Sequence, residues 1–117
     1  MSKDPFPYSV EDIKDAYEEI HYGPTDGAWI SGTMCCPITA LFIKKVGNDG
    51  ATIIREIGEW SSDDNDVAEA IASDLCITRG QVLSFVNGFD GGGTETSDLS
   101  AYEAGRITRL ALLGEES

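Results

Sequence analysis

The stretch from residue 67 to residue 89 reads VAEAIASDLCITRGQVLSFVNGF, and it carries the clearest structural pattern in the chain. Small and apolar residues recur every three or four positions in both of its halves. This spacing predicts two short amphipathic helices, because residues three and four apart lie on the same side of a helix. Thr78 and Gln81 have the spacing of a capping box at the start of the second helix. We therefore predict two helices joined by a short turn.

The rest of the chain extends this helical pattern in both directions. One helix is predicted after Ser9, where Asp12 completes another capping box, and one begins at Pro37, which suits the first turn of a helix. The segment 51–60 fits a helix, although its β-branched residues leave a short strand near 52–57 as the alternative. Another helix is predicted close to the end, with apolar residues at helical spacing: Leu99, Tyr102, Ile107, Leu110 and Leu113. The predicted fold is all-α, a compact bundle of five or six short helices.

The segments between the helices lead to three further expectations. Gly105 costs its helix about 1 kcal/mol relative to alanine, so its presence predicts a close approach to another helix. The segment 24–34 is predicted to be a loop anchored by a buried Trp29. Residues 1–8 contain two prolines and are predicted to be a flexible N-terminus. Residues 9–117 then form a single helical domain.

Charge is the strongest global feature of the sequence. The 117 residues include 21 acids and 8 bases, which gives a formal net charge of −13. Such a charge repels nucleic acid and anionic membranes and attracts basic surfaces. The sequence contains no signal-peptide pattern, and its three cysteines are an odd number with no sign of an oxidising compartment. We therefore expect a cytoplasmic chain with free thiols and no contact with membranes.

The acids predict a binding face for a basic partner protein. The alternative is that the acidity serves only to keep the protein soluble. Carboxylates spaced along helices can imitate the phosphates of a duplex, and in size and charge the chain resembles small phage inhibitors of restriction or CRISPR systems. This resemblance implies a non-enzymatic inhibitor that mimics nucleic acid. The predicted acidic face consists of Glu11, Asp12, Asp15, Glu18, Glu19, Glu59, Asp63, Asp64, Asp66 and Glu69.

The helix pair at 67–89 suggests a different function. It resembles the helix-turn-helix of DNA-binding regulators in its apolar positions, which are Ile71, Ala72, Leu75, Ile77, Val82 and Phe85. The resemblance implies that the second helix reads DNA and presents outward Arg79, Gln81, Ser84 and Asn87. Two residues depart from the pattern: Cys76 stands where the turn usually has glycine, and Gly80 weakens the start of the second helix.

One pair of residues, Cys36 and His21, is a candidate for enzymatic catalysis. Cys36 precedes Pro37 at a predicted helix start, where the helix dipole lowers the pKa of a thiol, and His21 is the only histidine available as a base. A buried structural cysteine is the alternative. The sequence has neither a C-x-x-C motif nor paired histidines, so we expect no metal site, no cofactor and no enzymatic activity.

Overall fold

The computed structural model describes residues 6–25, 29–47, 49–61, 64–91 and 98–114. These residues form six helices: α1 (Val10–Ile20), α2 (Pro37–Val46), α3 (Asp49–Trp60), α4 (Asp64–Leu75), α5 (Arg79–Asp90) and α6 (Leu99–Leu113). Three two-residue strands complete the described part: β1 (Gly23–Pro24), β2 (Ile30–Ser31) and β3 (Met34–Cys35). The all-α prediction is confirmed. In the ranges given above, no helix has both the length and the apolar composition to cross a membrane.

The helix starts follow from local sequence. The Ser9 hydroxyl accepts a hydrogen bond from the Asp12 backbone N–H, and the Asp12 carboxylate accepts one from the Ser9 N–H. Thr78 and Gln81 form the same reciprocal pair at the start of α5. Both capping boxes are confirmed; each satisfies two N–H groups that have no partner within the helix. Pro37 is the first residue of α2, as predicted.

The segment between α1 and α2 differs from the predicted loop. β3 pairs in parallel with β1 and antiparallel with β2, which gives a three-stranded sheet in the order β1-β3-β2. Trp29, expected to be buried, is half-buried. The sheet is tied to the helices by two hydrogen bonds: the Tyr17 hydroxyl donates to the Cys35 carbonyl at 2.6 Å, and Arg55 Nη2 donates to the Gly32 carbonyl at 2.8 Å.

The short strand considered near 52–57 is absent from this position, because α3 runs through it. Ile54 and Ile57 lie one turn apart and are both buried, so the β-branched residues serve the helix packing instead. Tertiary contact therefore outweighs their moderate preference for strands.

The core is centred on α2, whose residues 37–43 are all buried. The first described residues also belong to it. Phe6 is buried and stacks on Phe85 with ring centroids 4.9 Å apart, and its N–H donates to Ser100 Oγ. Within the N-terminus predicted to be flexible, residues 1–8, burial of its ring favours a fixed position for Phe6, and residues 1–5 lie outside the described residues.

Helix α6 turns its small residues inward. Ala101, Gly105 and Thr108 are buried, whereas Leu99, Ile107 and Leu110 are exposed. The residues on the inward face are small because α5 and α6 approach each other closely at two glycines. A Cβ on Gly105 would overlap the Phe85 carbonyl oxygen, and a Cβ on Gly88 would overlap the Tyr102 carbonyl oxygen. The close approach predicted from Gly105 is thus present.

Candidate functional site

The outer face of α1 carries a continuous row of carboxylates, which we call the α1 acidic stripe. It consists of Glu11, Asp12, Asp15, Glu18 and Glu19. All five side chains are exposed, and Ile13, Ala16 and Tyr17 are buried on the other side of the helix. At 100° per residue, the five acids fall within an arc of about 120° directly opposite the buried residues. The core therefore fixes the direction in which the stripe faces.

The stripe is partly unfavourable for the helix that bears it, although Glu11 and Asp12 lie in the first turn, where acids suit the helix dipole. Asp15 has an acid at each of the positions i−4, i−3, i+3 and i+4, and each like-charged pair at this spacing destabilises a helix by about 0.2–0.5 kcal/mol. The last turn of α1 contains Glu18 and Glu19 and no basic residue. Because the C-terminus of a helix carries a partial negative charge, these two carboxylates oppose the dipole. Helix stability alone does not account for this arrangement.

Nearby bases in the described ranges form no ion pairs with the stripe. Across the part of the chain that the structure describes, none of its five carboxylates forms an ion pair. Lys44 and Lys45 lie at its edge, where they line a cavity of about 390 Å³ together with Asp12. The Asp12 carboxylate also accepts a hydrogen bond from the Ser9 N–H. Lys14 is exposed on the same helix, three residues after Glu11 and four before Glu18, but it forms no ion pair with any of the other four acids.

Neutralising the centre of the stripe should stabilise the protein. We expect Asp15→Asn to raise the free energy of unfolding by about 1 kcal/mol at low salt, because it removes four like-charge contacts while keeping the shape of the side chain. The gain should vanish near 1 M salt, where the Debye length is only about 3 Å. Urea denaturation in dilute solution measures it.

Glu103→Gln is the matched control for this measurement. Glu103 is also exposed on a helix, but it pairs with Arg106 at 3.1 Å, so its neutralisation removes an attraction and should not stabilise. A lower stability of Asp15→Asn than of the unchanged chain at low salt would show that the stripe is not repulsive.

Of the other predicted acids, Glu59 lies on α3, and Asp64, Asp66 and Glu69 lie on α4. Glu59 and Glu69 are exposed, and the half-buried Asp66 accepts a hydrogen bond from the Ser61 hydroxyl. Asp63 lies outside the described residues, and of Asp64 the structure describes only its place at the start of α4. Both α1 and α4 pack on α2. The nine predicted acids within the described residues therefore divide into two groups, five on α1 and four on α3 and α4, and only the α1 acidic stripe lies on a single helix.

The predicted DNA-reading residues do not share one surface. Arg79 is exposed and Asn87 is half-buried, but Gln81 is only 6% exposed and Ser84 is fully buried. The Gln81 side chain caps α5, and Ser84 Oγ accepts a hydrogen bond from the Asp98 N–H. The predicted outward presentation of Gln81 and Ser84 is wrong, because α6 covers this side of α5. The turn itself matches the pattern, since Cys76 adopts a φ of 58°, a conformation that usually selects glycine.

At the cysteine site predicted from Cys36 and His21, the pKa of the Cys36 thiol is shifted in the opposite direction from the predicted one. Cys36 is the N-cap of α2, as predicted, but it is buried, and this burial raises its pKa to about 11 despite a contact with the Thr39 hydroxyl at 3.4 Å. Burial also raises the pKa of the neighbouring Cys35 thiol. His21 is exposed at the end of α1. The predicted lowering of the Cys36 pKa is therefore wrong, since desolvation outweighs the helix dipole.

One further surface was not predicted from the sequence. An open groove of about 470 Å³ lies between β2, α3 and α4, with Trp29, Ile30 and Ile54 on its apolar side. Arg55 and Glu59 are its charged lining residues, and Arg55 is already bound to the Gly32 carbonyl. Among the described residues, no three His, Cys, Asp or Glu side chains gather closely enough to hold a metal ion.

Comparison with models of protein families, with curated proteins and with solved structures gives no match for this chain. The arguments about function therefore depend on the surfaces described above.

Proposed function

We propose that the chain is a non-enzymatic interaction module whose α1 acidic stripe binds a basic surface on a partner protein. The observation that carries the proposal is the row of five exposed carboxylates opposite the buried face of α1, none of which forms an ion pair among the described residues. Charges held in a row at a cost to helix stability are typical of a binding surface, where stability and function conflict. A complementary cationic surface on a partner would attract all five carboxylates and so offset the repulsion between them.

The density of charge in the stripe supports mimicry of nucleic acid. Glu11 and Glu19 are eight residues apart, which corresponds to about 12 Å along a helix axis. Duplex DNA carries one negative charge per ~1.7 Å, or about seven over the same length. Five carboxylates over this distance approach that density. The partner that we propose is accordingly a protein whose basic groove binds nucleic acid, and occupation of the groove would inhibit that protein.

The immobilised chain should retain basic proteins from a cell extract at low ionic strength and release them as salt rises. The reason is that steered association between exposed charges is screened beyond a Debye length of ~10 Å at 0.1 M salt. Mass spectrometry of the eluted proteins identifies them, and competition with duplex DNA tests whether the stripe and the duplex share one groove. A captured set whose yield is independent of ionic strength contradicts the proposal.

The alternative function, a helix-turn-helix regulator, has less support. The turn geometry at Cys76 fits it, but Gln81 and Ser84 form hydrogen bonds within the fold, and of the four residues only Arg79 is in the exposed class. DNA affinity depends on several cations that contact phosphates. DNA binding therefore stays a prediction of the sequence pattern, and we do not propose it as the function.

A further inference from the structure

The outer face of α6 exposes large apolar side chains that no other described residue covers. Among the described residues, five large hydrophobic side chains are exposed, and three of them lie on this helix: Leu99 at 71%, Ile107 at 56% and Leu110 at 49%. One flank of α6 is covered by α5, and on the other the N-terminal segment contacts Ser100 through the Phe6 N–H. Large apolar residues that gather on one side of a helix typically mark an interaction site.

The charge of this face distinguishes it from the rest of the protein. The chain has a formal net charge of −13, but the outer face of α6 carries one acid, Glu103, and one base, Arg106, because the second arginine of the helix, Arg109, donates to the Phe89 carbonyl on α5. Two copies of so acidic a chain repel each other through most surfaces, and above all through the α1 acidic stripe. The outer face of α6 is a place where two copies can meet without this repulsion.

The face is also complementary to itself. If two α6 helices pack antiparallel about a two-fold axis that passes between residues 104 and 105, three different pairs form at once. Leu99 lies opposite Leu110 of the second copy, Tyr102 opposite Ile107, and Glu103 opposite Arg106. Two-fold symmetry forms each pair twice. Apolar residues therefore meet apolar residues at both ends, and opposite charges meet in the middle.

The side chains at the centre are available for this contact. Arg106 and Glu103 pair within one helix at 3.1 Å, yet their side chains remain 39% and 55% exposed. Tyr102 is half-buried and Ile107 is exposed, so each can add contact area. We propose that α6 is the interface of a homodimer, in which two copies of the chain pack antiparallel through the six residues Leu99, Tyr102, Glu103, Arg106, Ile107 and Leu110.

Analytical ultracentrifugation of the full chain at physiological ionic strength tests this proposal. The expected species at high micromolar concentration is a dimer of about 25 kDa, twice the chain mass of 12.6 kDa, which dissociates on dilution. Leu99→Lys/Leu110→Lys should remain monomeric at the same concentration, because it places four unpaired cations in the contact. Both positions are exposed, so circular dichroism should show an unchanged helix content. A monomer at every concentration of the unchanged chain overturns the proposal.

A charge exchange tests the antiparallel register. Glu103→Arg places two cations opposite two cations in its homodimer, and Arg106→Glu does the same with anions, so each variant alone should dimerise at least tenfold more weakly. An equimolar mixture should recover the affinity, because every Arg then lies opposite a Glu in the heterodimer. If the single variants dimerise as well as the unchanged chain, or if the mixture does not recover, the α6 register is wrong.

Discussion

We expect Gly105→Ala to lower the free energy of unfolding by about 3 kcal/mol, although alanine is the better helix former by about 1 kcal/mol. The added methyl group would overlap the Phe85 carbonyl oxygen and would lie 2.8 Å from the Phe89 backbone nitrogen. Backbone atoms within a helix cannot move away as a flexible side chain can. Helices α5 and α6 would therefore have to separate, and the packing between them would be lost. Urea denaturation measures the change.

Gly58→Ala is the matched control, because Gly58 is a helical glycine whose added Cβ would have no neighbour within 4 Å. It should stabilise the protein by about 0.5–1 kcal/mol, the usual difference between the two residues in an exposed helix. Equal effects of the two substitutions would mean that α5 and α6 do not make the close contact described here.

The second large effect concerns the thiols. In the native protein, Cys36 should react with iodoacetamide at least about 300-fold more slowly than an ordinary thiol at pH 7, because a thiol with a pKa of about 11 is ionised only to about one part in ten thousand. Its rate should rise about tenfold per pH unit until the pH approaches that pKa. Tandem mass spectrometry of the labelled peptides separates the sites.

The exposed Cys76 serves as the internal control for this measurement. It should be alkylated readily in the native chain, and in denaturant all three cysteines should react at similar rates. Rapid modification of Cys36 under native conditions would restore the case for a cysteine nucleophile, since only an ionised and accessible thiol attacks the reagent.

The helix boundaries are the part of the fold that the sequence predicts best. Ser9 with Asp12 and Thr78 with Gln81 form their hydrogen bonds within four residues, so a local pattern contains all the information. Gly47 ends α2 for the same reason. The small sheet was missed because each strand has two residues, too few for an alternating pattern, and its pairing joins β1 to β3 across the sequence.

The direction in which a helix faces is less predictable. On α6 the spacing of the large apolar residues predicts that they face the core, but Leu99, Ile107 and Leu110 face outward, because the glycine contact with α5 leaves no room for a large side chain where the two helices meet. On α5 the polar Gln81 and Ser84 face inward because each satisfies a backbone N–H. Both reversals depend on residues that are far apart in the sequence, and periodicity alone cannot reveal them.

The candidate site also has features that the sequence predicts and features that it does not. The exposure of the α1 acidic stripe follows from helical periodicity, because Ile13 and Tyr17 define the buried side of α1. The relation of the stripe to Glu59 and Glu69 depends on tertiary packing, and the pKa of Cys36 depends on how deeply its thiol is buried. From the sequence, the helix dipole predicts a lowered pKa for Cys36. The desolvation that raises this pKa instead cannot be predicted from the sequence.

Two charge-matched variants test the proposed function most directly. Asp15→Lys/Glu19→Lys changes the α1 acidic stripe, and Glu56→Lys/Asp74→Lys changes exposed acids on α3 and α4. Both variants have the same composition. Each adds four charge units to −13, so both have a formal net charge of −9. Isothermal titration with the basic protein recovered by the immobilised chain gives the dissociation constants. We predict that the α1 variant binds at least about tenfold more weakly, a loss of ~1.4 kcal/mol, and the other variant less than about threefold. Equal weakening by both variants would mean that net charge alone drives the binding and would contradict a site on α1.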